Sequence, residues 1–199
     1  MHRGIAQSLN PEAGWHSVTT DRRELEAIAR AHERSWNEFP YYEARFGDRG
    51  KRFSVSDSAW LATLSSRPLR DVLDQVRWLG GVLSSRGMPQ ILLERHLTIL
   101  HEELGHNHLK RAANDLASRQ RSVFPQKRFD QHARDFEEHV SGFAPFTGMG
   151  ILLASAVADE RLGIEHAVSA ISDWATDRAR FPDQWIEAVN TSLTAMRER

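Results

Sequence analysis

The chain contains no cysteine. That absence removes disulfides, thiolate nucleophiles, zinc fingers and cysteine-held iron–sulfur clusters together. Lysine is scarce: of 26 basic residues only Lys51, Lys110 and Lys127 are lysines, a bias that genome composition produces as readily as recognition chemistry. No apolar run approaches the ~20 residues that cross a bilayer, and the stretch around Asn10, Pro11 and Glu12 has no apolar core of a secretory signal. The expectation is a cytoplasmic protein without a membrane partner. The 27 acidic residues nearly cancel the basic ones, giving a formal net charge of -1. This argues against a polyanion-binding surface, so no nucleic-acid partner is expected.

What is present is helical patterning. At 199 residues the chain can bury roughly 70% of its unfolded surface, enough for one domain. Residues 1–19 carry Gly4, Pro11 and Gly14 without a period and read as a loose N-terminal arm, with a single helical domain over 20–199. Asp21 followed by Glu24 resembles a capping box, and Leu25, Ile28, His32 and Trp36 then recur at helical spacing up to Pro40. A second piece runs from Tyr41 to Phe46 before Gly47-Asp48-Arg49-Gly50. Ser56 or Asp57 is expected to cap a short helix holding Trp60, Leu61 and Leu64. Pro68 and Gly87 bracket the stripe of Leu69, Val72, Val76 and Leu83, and Pro89 opens a helix expected to run to about Arg119. Phe129, Phe136 and Val140 mark the helix after Pro125. Residues 150–174 read as a long buried helix with a potential division at Gly163, and Pro182 opens the last one. No alternating run of strand length occurs. The expected fold is all-α, a single-domain bundle of about seven helices.

Ionisable side chains fall inside this greasy pattern. On the helix after Pro89, at about 100° per residue, His96, Leu100 and Glu103 point in nearly one direction, within the stripe of Leu93, Leu97 and Leu104. A buried ionisable pair must be hydrogen-bonded, neutralised or bound to something. His32 lies mid-stripe on the first helix, so His32, His96 and Glu103 form a candidate ligand-binding set.

Glu103-x-x-His106 has the spacing by which di-iron bundles place two ligands on one helix. His132, Asp135 and His139 line an edge of the helix after Pro125. Glu103, His106, His132, Asp135 and His139 are therefore the candidate metal ligands, with iron or haem the cofactors they suit. The alternative is that each histidine is neutral and bonded to backbone or carboxylate oxygen. His101-Glu102-Glu103-Leu104-Gly105-His106 is not a zinc-protease motif, because its histidines are five apart rather than four.

Arg161 and Glu165, four apart, are expected to form an internal ion pair. The basic turn of Arg45, Arg49, Lys51 and Arg52 reads as arginines solvated or held by acidic residues. Trp78 projects away from its own helix's stripe, so a further layer or a second copy is expected to cover it, and a homodimer follows from the latter.

Arg45-Phe46-Gly47-Asp48-Arg49-Gly50, Asp57 with Trp60-Leu61 and Leu64, Val76-Arg77-Trp78-Leu79, and Val82-Leu83-Ser84-Ser85-Arg86-Gly87 together resemble the helical module that precedes the cobalamin-binding domain of bacterial sensor proteins, over about residues 41–104. The resemblance implies a regulatory or sensory module. Cobalamin binding is not implied, since no such domain follows within the chain and its Asp-x-His-x-x-Gly motif is absent. Three functional readings stand: a regulatory module binding a small molecule, metal or protein partner between helices; a metal-dependent oxidoreductase of the di-iron or haem-oxygenase-like type; and a structural adaptor with no ligand site.

Overall fold

Asp21 begins the first helix as its spacing predicts: its carboxylate accepts the backbone N–H of Arg23 at 2.8 Å and of Glu24 at 3.3 Å, satisfying two of the donors a helix start leaves orphaned. The other half of the expected box differs, because Glu24 bonds the Thr19 hydroxyl. The computed structural model describes residues 9–14 and 16–198. Among these the fold is all-α, with nine α-helices and no strand element: α1 (Arg22–Glu38), α2 (Tyr41–Thr63), α3 (Leu69–Ser84), α4 (Gln90–Leu104), α5 (Asn107–Val123), α6 (Gln126–Val140), α7 (Met149–Arg161), α8 (Ala167–Ala175) and α9 (Asp183–Arg197).

Glycine divides two of the expected helices. Gly105, at φ 74, ends α4 in the left-handed region, so the helix expected to reach Arg119 becomes α4 and α5. Gly163 at φ 86 and His166 at φ 63 likewise separate α7 from α8. At Gly47 (φ 50, ψ -151) α2 kinks where the sequence predicts a break, but Asp48 to Thr63 then runs as one helix. Ser56 and Asp57 lie inside it rather than capping it.

The described residues form two compact units, those within 1–75 with 95–114 and those within 76–94 with 115–199. In the first, α1 packs on α2 and buries Ala27, Ile28, Ala31 and Ser35. The stretch read as a loose arm is held there as well. The Thr19 N–H donates to the Ala59 carbonyl at 3.2 Å, Asn10 and Val18 are buried, and Glu12 meets Arg49 and Arg52. The rest of that arm, residues 1–8 and 15, lies outside the described residues.

In the second unit α7 is the hub, touching α6, α8 and α9, with burial on all sides from Met149 to Asp159 except at Ile151. A helix apolar all round is what such a position needs. Small residues permit the approach: a Cβ on Gly150 would sit 2.4 Å from the Ala133 carbonyl oxygen of α6. No described helix is long and apolar enough to cross a membrane.

Candidate functional site

In the first unit, α2 carries serines at 54, 56 and 58, and each meets a histidine. Ser54 and Ser58, four apart, share one helix face, and Ser56 points to the other. His32 Nδ1 of α1 lies 3.2 Å from Ser54 Oγ, His16 Nε2 lies 3.3 Å from Ser56 Oγ, and His96 Nε2 of α4 lies 2.7 Å from Ser58 Oγ. On its other side, His96 Nδ1 is 2.7 Å from Ser35 Oγ of α1.

The proton positions at His96 follow from counting donors. Ser58 Oγ is 2.6 Å from the Ser54 carbonyl and gives its single proton there. It therefore accepts from His96, which fixes the Nε2–H tautomer, and the Ser35 hydroxyl donates to Nδ1. Both ring nitrogens are satisfied without a charge. Burial pushes the His96 pKa down to about 4, with the neighbouring His32 adding to it, so the ring is neutral at pH 7. The His32 pKa is lowered too, by burial first and then by Lys51.

This arrangement decides what the cluster can do. Ser58 beside an imidazole has the spacing of a nucleophile and its base. Here Nε2 already holds a proton, the Ser58 proton faces a carbonyl, and Ser58 is fully buried. The cluster is a neutral clasp joining α1, α2 and α4.

Glu103 does not join it. Its oxygens accept from Arg30 Nε at 2.9 Å and Arg34 Nη1 at 2.8 Å, while Arg34 Nη2 also reaches Glu102 at 2.5 Å. Hydrogen bonds from Arg34 and then Arg30 hold the Glu103 carboxyl below the usual carboxylate range. The candidate set of His32, His96 and Glu103 thus divides: the histidines sit in the serine clasp and the glutamate in an arginine fork. Direction along a helix predicted a shared face, but the partners on α1 capture the two side chains separately.

The candidate metal set is not brought together. His106 faces Glu24, its Nε2 at 3.6 Å from the carboxylate. His132 lies against Phe124, with ring centres 5.8 Å apart. Asp135 is exposed and accepts from Gln131, and His139 is exposed beside Phe143. Among the described residues no group of three or more histidine, aspartate or glutamate side chains is placed to hold a metal ion. An axial bond to haem from His96 would require breaking one of its serine bonds.

Other expectations resolve simply. Arg161 and Glu165 are not paired: α7 ends at Arg161, Glu165 is exposed, and Arg161 donates to the carbonyls of Val123 and Met196. The basic turn is held as anticipated, with Arg49 and Arg52 on Glu12, Lys51 on Glu43 and Asp48, and Arg45 over Tyr41 and Phe46.

The polar centre of the second unit escaped the sequence reading. Asp159 of α7, fully buried, accepts from the Ser84 hydroxyl at 2.7 Å, the Gln90 N–H at 2.9 Å and Gln120 Nε2 at 2.6 Å. Ser155, one turn earlier, accepts from the Ile91 N–H at 3.1 Å and from Gln120 at 2.7 Å. Asp159 and Ser155 thereby cap the start of α4 from a different helix, where a negative charge is favoured by the helix dipole. Burial raises the Asp159 pKa to about 6 against those hydrogen bonds. The signal was visible as the first of two acids, Asp159 and Glu160, that follow the run of apolar and small residues from Ile151 to Ala158.

Trp78 on α3 is left 61% exposed. Its neighbour Arg77 makes a bidentate pair with Asp115, both contacts at 2.7 Å. No family model, curated protein or solved structure matches the chain.

Proposed function

We propose that this protein is a regulatory helical module that works by docking a protein partner on the Trp78 face of α3. The carrying observation is Trp78 itself, 61% exposed where burying such a side chain is strongly favourable. Tryptophan and arginine are the residue types that anchor protein interfaces. Arg77 stands beside Trp78 with its guanidinium already oriented by Asp115. The likeness of residues 41–104 to a sensor module supports the same reading.

The interior favours a partner at the surface over a ligand at His96. Both nitrogens of that ring are hydrogen-bonded, and a ligand there would have to displace Ser35 or Ser58. A second copy of the chain is one form the partner can take.

A photoreactive benzoylphenylalanine at position 78, and in a separate sample at exposed Arg70 of the same helix, tests the proposal in cells. A discrete adduct from position 78, absent from position 70 and competed by the unmodified chain but not by its Trp78→Ala variant, is expected. Identical products from the two positions would overturn it. An adduct of twice the chain mass identifies the partner as a second copy.

A further inference from the structure

We propose that the surface of the second unit where Arg121, Arg128 and Arg161 gather over Phe124 and Phe129 is an anion site that takes a phosphate group. The two phenylalanines are fully buried, with ring centres 5.9 Å apart, and form an aromatic floor. Arg161 and Arg128 lie 4.7 Å and 5.7 Å from the centre of the Phe124 ring, and Arg121 lies 3.8 Å from that of Phe129. Three guanidinium groups are thus held against adjoining rings, which lowers the entropy lost on binding.

What sets this cluster apart is the chemistry of its partners. Elsewhere in the same unit, three arginines meet carboxylates, Arg77 with Asp115, Arg180 with Asp177 and Arg197 with Glu160, and Arg134 donates to Gln131. Among the described residues, every hydrogen-bond acceptor here is neutral. Arg161 donates to the carbonyls of Val123 and Met196, Arg128 to that of Glu198, and Arg121 to the side-chain oxygens of Gln126 and Gln120.

Capping of helix ends explains part of this arrangement. Val123 and Met196 lie in the last turns of α5 and α9, and each such end carries about half a negative charge. Two half charges among the direct hydrogen-bonding partners, set against three full ones, leave roughly two positive charges without a directly bonded counter-charge. Each guanidinium has five N–H donors, and none here uses more than two on the described residues. Forked donors with positive charge to spare suit the oxygens of a phosphate group.

His132 stands at the edge of the cluster, against Phe124. Its pKa is lowered by burial and by Arg128 and Arg161, with Asp135 opposing them. The other acid on this part of α6, Asp130, is held by Gln126. A phosphate neutralising the arginines removes that repulsion and lets His132 take up a proton.

The test is a titration of the full chain with inorganic phosphate, followed by the arginine Nε–Hε and His132 signals in NMR spectra. Sodium chloride at equal ionic strength is the comparison. Saturable shifts at Arg121, Arg128 and Arg161 and an upward move of the His132 titration are expected with phosphate alone. Arg128→Gln and Arg161→Gln should each weaken binding at least tenfold, and Arg180→Gln should leave it within twofold. Equal shifts with chloride, or unchanged affinity in the doubly substituted Arg128→Gln, Arg161→Gln chain, would overturn the proposal. The wild-type titration decides even where a variant does not fold. Tighter binding of glycerol 3-phosphate identifies an organic phosphate as the ligand, and equal binding identifies the free ion.

Discussion

The hydroxyl of Ser35 lies 2.7 Å from Nδ1 of His96 and donates to it, because the proton of the ring is fixed on Nε2 by Ser58. Ser35→Ala leaves a buried acceptor without a donor. The expected loss of stability is about 1–3 kcal/mol, the cost of an orphaned buried polar atom. Adding His96→Phe removes that orphan, so the double variant should lose less than the two single losses combined. Denaturant unfolding of the four chains measures this coupling. Full additivity would mean that the bond contributes nothing to stability.

The clasp and the Asp159 centre respond to acid in opposite senses. His96 titrates at about 4 in the fold against 6.5 as its ordinary value. Between those limits the unfolded chain binds the extra proton, so the first unit loses stability as pH falls from 6.5 towards 4. Asp159 titrates at about 6 against an ordinary 3.8. There the folded chain binds the extra proton, so Asp159 adds stability to the second unit as pH falls from 6 towards 3.8, opposed by His132, whose lowered pKa acts the other way. At about 1.4 kcal/mol per tenfold change, each effect is on the order of 3 kcal/mol. The lowered Glu103 carboxyl adds to the acid loss in the first unit below its ordinary 4.5. Hydrogen exchange, corrected for the intrinsic pH dependence, should show protection falling in α1 and α2 and rising in α7 over this window. Asp159→Asn should abolish the rise and His96→Phe should reduce the fall. Parallel changes in both units would contradict the assignment.

Local chemistry made much of the fold legible. Asp21 before a helical stripe, Pro125 and Pro182 at helix starts, and Gly163 as a divider act through a few neighbouring residues, and the helices form accordingly. Gly105 was harder to read because a glycine within apolar periodicity is compatible with a weakened helix as well as an ended one. The candidate site was legible only in part. His96 is buried as its stripe predicted, but the side chains that satisfy it are Ser35 and Ser58, which no pattern in α4 encodes. Ser35 did leave a trace: with Ala27 and Ala31 it completes a run of small residues four apart, the mark of a close helix contact, and all three are buried. The candidate metal ligands lie apart for a related reason. Spacing along one helix fixes the direction of His132 and Asp135, but not whether carboxylates elsewhere turn towards them.

Two glycines separate steric necessity from helix propensity. Gly81 lies within α3, and a Cβ there meets nothing within 4 Å. Alanine should stabilise that helix by up to about 1 kcal/mol, because it lowers the backbone entropy lost on folding. Gly150 begins α7, and its Cβ would fall 2.4 Å from the Ala133 carbonyl oxygen, a backbone atom that cannot swing away. The Gly150 N–H also bonds Glu137 at 2.8 Å, so a displaced α7 loses that cap too. Overpacking of this kind typically costs about 1–3 kcal/mol and outweighs the gain in propensity. Calorimetry should therefore show Gly81→Ala melting above the wild type and Gly150→Ala below it. A Gly150→Ala chain as stable as the wild type would mean that α6 and α7 are further apart than the geometry requires.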